Sequence, residues 1–192
     1  AARTRLGLRG APLAVCVGRL VFQKGQDILV SAWPEVRRRV PDAQLAVIGE
    51  GETHAELAGL STPGVTIVGP VADVRPWLVA ADIVVQPSRW EGRSSSVLEA
   101  LASGRSVVAT DVEGMREAIG EDPVTRAGAI VPPNDPDALA AAIAARLANS
   151  NVVEAEARYD ASRVARFGLE PWREAIATVT RDALNRSGDS SR

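Results

Sequence analysis

Two cations and two carboxylates stand out in a chain otherwise rich in small and aliphatic residues. Arg19 and Lys24 follow the apolar run Leu13–Val17, in the stretches Val17-Gly18-Arg19-Leu20 and Gln23-Lys24-Gly25. Gly18 allows a sharp turn there. The two cations then stand beside the N–H groups of a helix start, an arrangement that binds anions and favours a diphosphate. Spacing alone leaves a second reading open, in which both are solvated surface cations. Lys24 is the only lysine among 22 basic residues, the rest being arginine. Under a GC-rich coding bias that exchanges solvated lysine for arginine, a surviving lysine marks a position that wants a compact ammonium, unless chance left it there.

The carboxylates lie further on, in Pro87-Ser88-Arg89-Trp90-Glu91-Gly92-Arg93-Ser94-Ser95-Ser96-Val97-Leu98-Glu99-Ala100. The run from Val97 to Ser103 reads as helix, so Gly92, Arg93, Ser94, Ser95 and Ser96 present small residues and free N–H groups at its start. Such a start can hold phosphate or sugar oxygens. Glu99 is expected in about the first turn, on the side of the ligand cleft. Together with Glu91 it suits the hydroxyls of a ribose and a hexose, the alternative being that it only complements the helix dipole. The loop Gly49-Glu50-Gly51-Glu52 lacks the G-x-G-x-x-G of a dinucleotide site, which counts against NAD. It reads as a tight turn with Glu52 in the first turn of a helix.

Six short apolar runs must position these groups. Leu13–Val17, Gln44–Ile48, Val65–Val68, Ile83–Gln86, Ser106–Ala109 and Ala129–Val131 read as buried parallel strands, separated by segments of helical length. This order predicts an α/β fold, a Rossmann-like doubly wound parallel sheet of about six strands with helices on both faces. Ligands of such sheets bind at the carboxyl ends of the strands. Asp135 and Pro136 are a cap and first position for a helix through Leu147. Asp73 is expected to cap a short helix Val74–Ala80, and Gly104 to end the helix before the fifth strand. Pro34 is expected to kink or break the first long helix. Past residue 150 two helices are predicted, Val152–Phe167 and Pro171–Leu184, then a frayed tail. The chain thus divides into a nucleotide-binding domain, 1–150, and a helical appendage, 151–192.

Composition excludes several classes. A net charge of −2 gives no basic field for nucleic acid. No apolar run approaches the ~20 residues of a membrane span. The single Cys16 lies in an apolar run and reads as core rather than nucleophile. His54, the only histidine, reads as a solvated surface residue with no partner for a metal. The N-terminus has no signal-peptide h-region and no initiating Met, so a cytoplasmic location and a longer parent protein are expected.

Taken in order, Val17-Gly18-Arg19-Leu20, Lys24-Gly25, Val47-Ile48-Gly49-Glu50-Gly51, Glu91-x7-Glu99-Ala100, Gly104, Val107-Val108-Ala109-Thr110, Gly114 and Glu117 resemble the C-terminal domain of glycosyltransferase family 4. The likeness runs from Val15 to about Leu147. It implies the GT-B architecture and sugar transfer from a nucleoside diphosphate such as UDP or GDP, with retention at the anomeric carbon. It also implies that Arg19 and Lys24 grip the diphosphate, that Glu91 contacts the hexose, and that the N–H groups around Ser94–Ser96 hold sugar and phosphate. By the same resemblance Glu99 takes the ribose hydroxyls, and the backbone near Val71 lies against the base. These roles make Arg19, Lys24 and Glu91 the catalytic set. No Asp-x-Asp motif is present, so no metal or other cofactor is expected to be essential.

Two departures from that family qualify the reading. Arg93 and Ser94 stand where an apolar residue and a glycine are common, and Arg93 reaches either an anionic sugar or acceptor, or solvent. The acceptor-binding domain is absent, so the chain alone is expected to bind nucleotide without transfer. The acceptor, whether glycan, lipid or small molecule, would be held by that missing domain. That domain would also supply any peripheral contact with the inner membrane. The closing helices, with Trp172, would face it. Rival readings are a GT-B epimerase or phosphorylase, a dinucleotide oxidoreductase, and a non-catalytic sugar-nucleotide-binding domain.

Overall fold

The computed structural model describes residues 2–5, 10–92, 94–123 and 126–158. Six strands form one parallel sheet: β1 (Leu13–Val17), β2 (Gln44–Ile48), β3 (Val65–Gly69), β4 (Ile83–Gln86), β5 (Ser106–Thr110) and β6 (Gly128–Val131). Their order is β3-β2-β1-β4-β5-β6. Eight α-helices are described: α1 (Ala2–Arg5), α2 (Gln26–Arg39), α3 (His54–Gly59), α4 (Arg75–Ala80), α5 (Ser95–Ala102), α6 (Met115–Ile119), α7 (Pro136–Leu147) and α8 (Ser150–Ala157). The apolar runs are strands because their β-branched side chains fill both faces of the pleat, as a sheet covered on both sides requires.

Alternate residues of each strand feed two cores. Ala14, Cys16, Val47, Val85 and Val108 meet Leu29, Trp33 and Val36 of α2 and Leu139 and Ile143 of α7. Val15, Ile48, Val84, Val107 and Ala109 meet Leu78 of α4, Val97 and Leu101 of α5, and Met115 and Ile119 of α6. Full burial of each large side chain contributes about 1.5–3 kcal/mol. The sheet is therefore a stiff platform for the loops at its carboxyl edge.

Local expectations fare unevenly. The Asp135 side chain accepts from the Ala138 N–H, with Pro136 in the first turn of α7, and Gly104 at φ +63° follows the end of α5. Pro34 does not break α2, which runs unbroken from Gln26 to Arg39. Pro34 is exposed, so its ring faces water and the helix forgoes only the bond to the Val30 carbonyl, while buried Leu29, Ala32 and Val36 anchor the opposite side. The cap of α4 is Val74 rather than Asp73; Asp73 still accepts from the Arg75 N–H at 3.0 Å, one position early. Glu52 precedes the cap Thr53 of α3, so Glu56 is the acid of that helix's first turn. His54 is the half-buried first residue of α3. Helix α8 begins at Ser150, two residues before the expected start. The remainder of that helix, the helix with Trp172 and the tail lie outside the described residues.

Candidate functional site

The strand order places β1 beside β2 on one side and β4 on the other. Chain connections leave β1 and β4 in opposite directions, and a crevice opens between their carboxyl ends. Lys24 follows β1 and Glu91 follows β4, so two residues far apart in sequence meet at this point.

The loop after β1 is held by its neighbours. Gly18 N–H donates to the Ile48 carbonyl (3.0 Å) and Leu20 N–H to the Glu50 carbonyl (2.8 Å), which prolongs the β1–β2 pairing beyond the strands. At Gly51, with φ +157°, a Cβ would lie 2.1 Å from the Leu20 carbonyl oxygen. The glycine pair 49 and 51 thus permits two loops to touch, more than a tight turn alone would need. A 3-10 turn, Phe22–Lys24, then leads to Gly25 at φ +67°, where a Cβ would lie 2.1 Å from the Pro87 carbonyl oxygen. That contact brings the loop carrying Lys24 against the loop carrying Glu91.

Lys24 Nζ donates to Glu91 Oε1 at 2.5 Å, with side chains 15% and 5% exposed. The same oxygen accepts from Ser88 Oγ (2.8 Å) and from Gln86 Nε2 (3.1 Å). Gln86 Nε2 also donates to Ser88 Oγ, and Gln86 Oε1 accepts from Ser96 Oγ, which lies 3.1 Å from Ser94 Oγ. Thr110 Oγ1 at the end of β5 donates to the Ser88 carbonyl. An ion pair this dry repays its desolvation only with such further hydrogen bonds. The sequence reading missed Gln86, Ser88 and Thr110. A polar Gln ending the apolar strand Ile83–Gln86 was the available signal, since buried amides need partners.

Arg19 differs from Lys24. It is exposed, lines an open cleft of about 710 Å³ with Val21, Glu50, Gly51, His54 and Pro70, and among the described residues no carboxylate pairs with it. Gly18 and Val71 are half-buried. Ser94 is the buried cap residue of α5 and makes no side-chain capping bond; Ser95 is exposed and Ser96 half-buried. Gly92 is exposed beside a recess of about 30 Å³ shared with Gly114 and Glu117. Glu99 lies in the second turn of α5, not the first, and takes no part in the Lys24–Glu91 cluster. Because helix-dipole effects fade within the first turn, that explanation of Glu99 weakens. It is exposed and lines a separate hollow of about 540 Å³ with Ala72, Asp73, Val74, Arg75 and Leu78, next to Val71. Arg93 lies outside the described residues.

Charge around the site is fixed locally. Arg89 grips the Asp27 carboxylate through two N–H groups (2.9 and 2.6 Å) and lies 3.9 Å over the Phe22 ring. The Arg89 hydrogen bonds hold the Asp27 carboxyl below the usual carboxylate range, against a smaller opposing effect of burial. Burial pushes the Cys16 thiol up to about 12, partly offset by the nearby Lys24 charge. Cys16 is therefore core, without nucleophilic character. Among the described residues no group of three His, Cys, Asp or Glu is arranged around a metal, and no helix is long and apolar enough to cross a membrane.

Known proteins share both sequence and shape with this chain. A GDP-mannose-dependent α-(1-6)-phosphatidylinositol monomannoside mannosyltransferase of Mycolicibacterium smegmatis is 37% identical over 161 residues, 77% of this chain and 41% of the relative. The lipopolysaccharide core biosynthesis mannosyltransferase LpcC of Rhizobium leguminosarum bv. viciae is 34% identical over 197 residues, 94% of this chain and 54% of the relative. The solved structure of sucrose-phosphate synthase from Thermosynechococcus elongatus superposes with a TM-score of 0.81 at 29% identity, covering 96% of this chain and 49% of that one. The chain thus spans about half the length of the proteins it matches. Residues 11–149 match the model of the glycosyl transferases group 1. With this match and a Rossmann-like sheet of the GT-B type, the chain belongs to the glycosyl transferases group 1 family.

Proposed function

We propose that the chain is the donor-binding half of a retaining glycosyltransferase that moves a hexose from a nucleoside diphosphate to an acceptor held by a further domain. The observation that carries this reading is the buried Lys24–Glu91 pair at the β1/β4 crevice, with Arg19, in the same loop after β1, exposed and without a carboxylate partner among the described residues. In sugar transfer the bond from the anomeric carbon to the diphosphate breaks, its electron pair leaves with the phosphate, and the acceptor oxygen bonds to that carbon while its proton passes to the departing phosphate. Negative charge grows on the phosphates, where fixed cations stabilise the transition state most. Arg19 supplies a charge that no carboxylate of the described residues compensates. Lys24 shares its protons between Glu91 and the phosphates, and Glu91 with its Ser88 and Gln86 donors faces the hexose hydroxyls. The uncapped N–H groups at the start of α5 receive sugar and phosphate oxygens. Glu99 and the Val71 backbone take the ribose and the base. Side chains and N–H groups stand in for a metal in this scheme.

GDP-mannose is the first donor to test, because relatives of similar sequence are named for it or for mannose transfer. Titration of the chain with GDP, UDP and ADP tests the reading. Micromolar to millimolar binding of one diphosphate, with no sugar transfer by the chain alone, is expected. Absence of binding to all three would remove the donor-site assignment. Release of free nucleotide by the whole protein in the presence of an acceptor separates a transferase from a binding domain or an epimerase.

A further inference from the structure

Gln26 is the first residue of α2, only 2% exposed, and the amide at its end is half-satisfied. Its Nε2 donates to the Arg19 carbonyl at 2.9 Å, while its Oε1 is buried without a partner among the described residues. An apolar side chain of the same length would fill this volume without burying an orphan acceptor, so stability does not account for an amide here. The bond it makes does. The Arg19 carbonyl also accepts from the Val21 N–H at 3.1 Å, and the flanking Gly18 and Leu20 N–H groups are tied to β2 and its loop. Among the described residues Gln26 is the one side-chain donor to the Arg19 carbonyl, and it ties the loop carrying Arg19 to the helix start fixed by Gly25 against the Pro87 carbonyl. Among the described residues the guanidinium has no carboxylate partner, while its backbone is clamped.

We propose that Gln26 is a positioning residue that orients Arg19 toward the donor diphosphate. This rests on the donor-site reading above, and the test keeps the two apart. The affinity of the chain for GDP or UDP, whichever binds more tightly, and for the matching nucleoside would be measured in Gln26→Met, Arg19→Ala and the double variant. Gln26→Met should weaken diphosphate binding at least about fivefold, the worth of one net hydrogen bond, and leave nucleoside binding unchanged. Its melting temperature should be equal or higher. In the Arg19→Ala background the same change should have no effect, because the group it acts through is gone. Equal losses with and without Arg19, or no loss in Gln26→Met while Arg19→Ala binds weakly, would overturn the positioning role. No loss in Arg19→Ala itself would instead overturn the donor-site reading beneath it.

Discussion

Replacing Lys24 by Met separates what the ion pair does for the fold from what it does for the ligand. The pair is 2.5 Å long and its carboxylate is 5% exposed, so removal of the cation leaves a buried charge. Breaking such a pair costs about 3–5 kcal/mol in general. Ser88 and Gln86 still donate to the same oxygen, which brings the expectation here to roughly 2–3 kcal/mol. A domain of this size loses roughly 2–4 °C per kcal/mol, so melting should fall by about 5–10 °C. The double variant Lys24→Met with Glu91→Gln buries no charge and keeps an amide for Ser88, and should recover most of that loss. Diphosphate affinity should not recover with it. Thermal denaturation and nucleotide titration of the parent, Lys24→Met, Glu91→Gln and the double variant measure both effects. Additive losses of stability, or a Lys24→Met protein that melts like the parent, would refute the coupling inferred from the geometry.

The remaining expectations concern other parts of the molecule. Glu99→Ala should weaken binding of the nucleoside as well as of the diphosphate, measured by titration of both; an effect confined to the sugar nucleotide would contradict the ribose role. Cys16 should remain protonated in the fold until about pH 12, whereas the unfolded chain ionises near its ordinary value of 9.0. Stability is then full below pH 9 and falls above it, by up to ~1.4 kcal/mol per pH unit, because only the unfolded chain releases the proton. Denaturant titrations of the parent and of Cys16→Ala should diverge over that range, and parallel slopes would refute the burial argument. Glu156 accepts from Arg146 at 2.5 and 3.0 Å and from the buried Ser106 hydroxyl, tying α8 to α7 and to the amino end of β5. Glu156→Ala should cost about 2–4 kcal/mol in denaturant unfolding while diphosphate affinity is unchanged.

The strands were legible because each is a run of four or five mostly apolar residues containing at least two β-branched ones, and burial on both faces leaves little freedom in where such a run ends. The start of α7 was legible for a local reason also, since Asp135 and Pro136 act within one turn. Pro34 misled because the cost of a proline depends on which side of the helix it occupies. The Lys24–Glu91 contact joins residues in separate loops and follows from the neighbouring places of β1 and β4, which propensity does not state. Motif order assembled these residues into one set through resemblance. It did not reveal that Lys24 is neutralised in the free site while Arg19 is unpaired among the described residues. Gln26 escaped notice because a glutamine at a helix start looks solvated until its burial is known.

The central claim is that this crevice holds a nucleoside diphosphate through Arg19 and Lys24. Calorimetric titration of the chain and of Arg19→Ala with GDP and UDP tests it most directly. The account predicts saturable binding of at least one of them by the parent chain, weakened roughly tenfold or more in Arg19→Ala, the loss of about 1.5–3 kcal/mol typical of a charge-assisted contact. Equal affinity in the two proteins, or no binding by either, would contradict it.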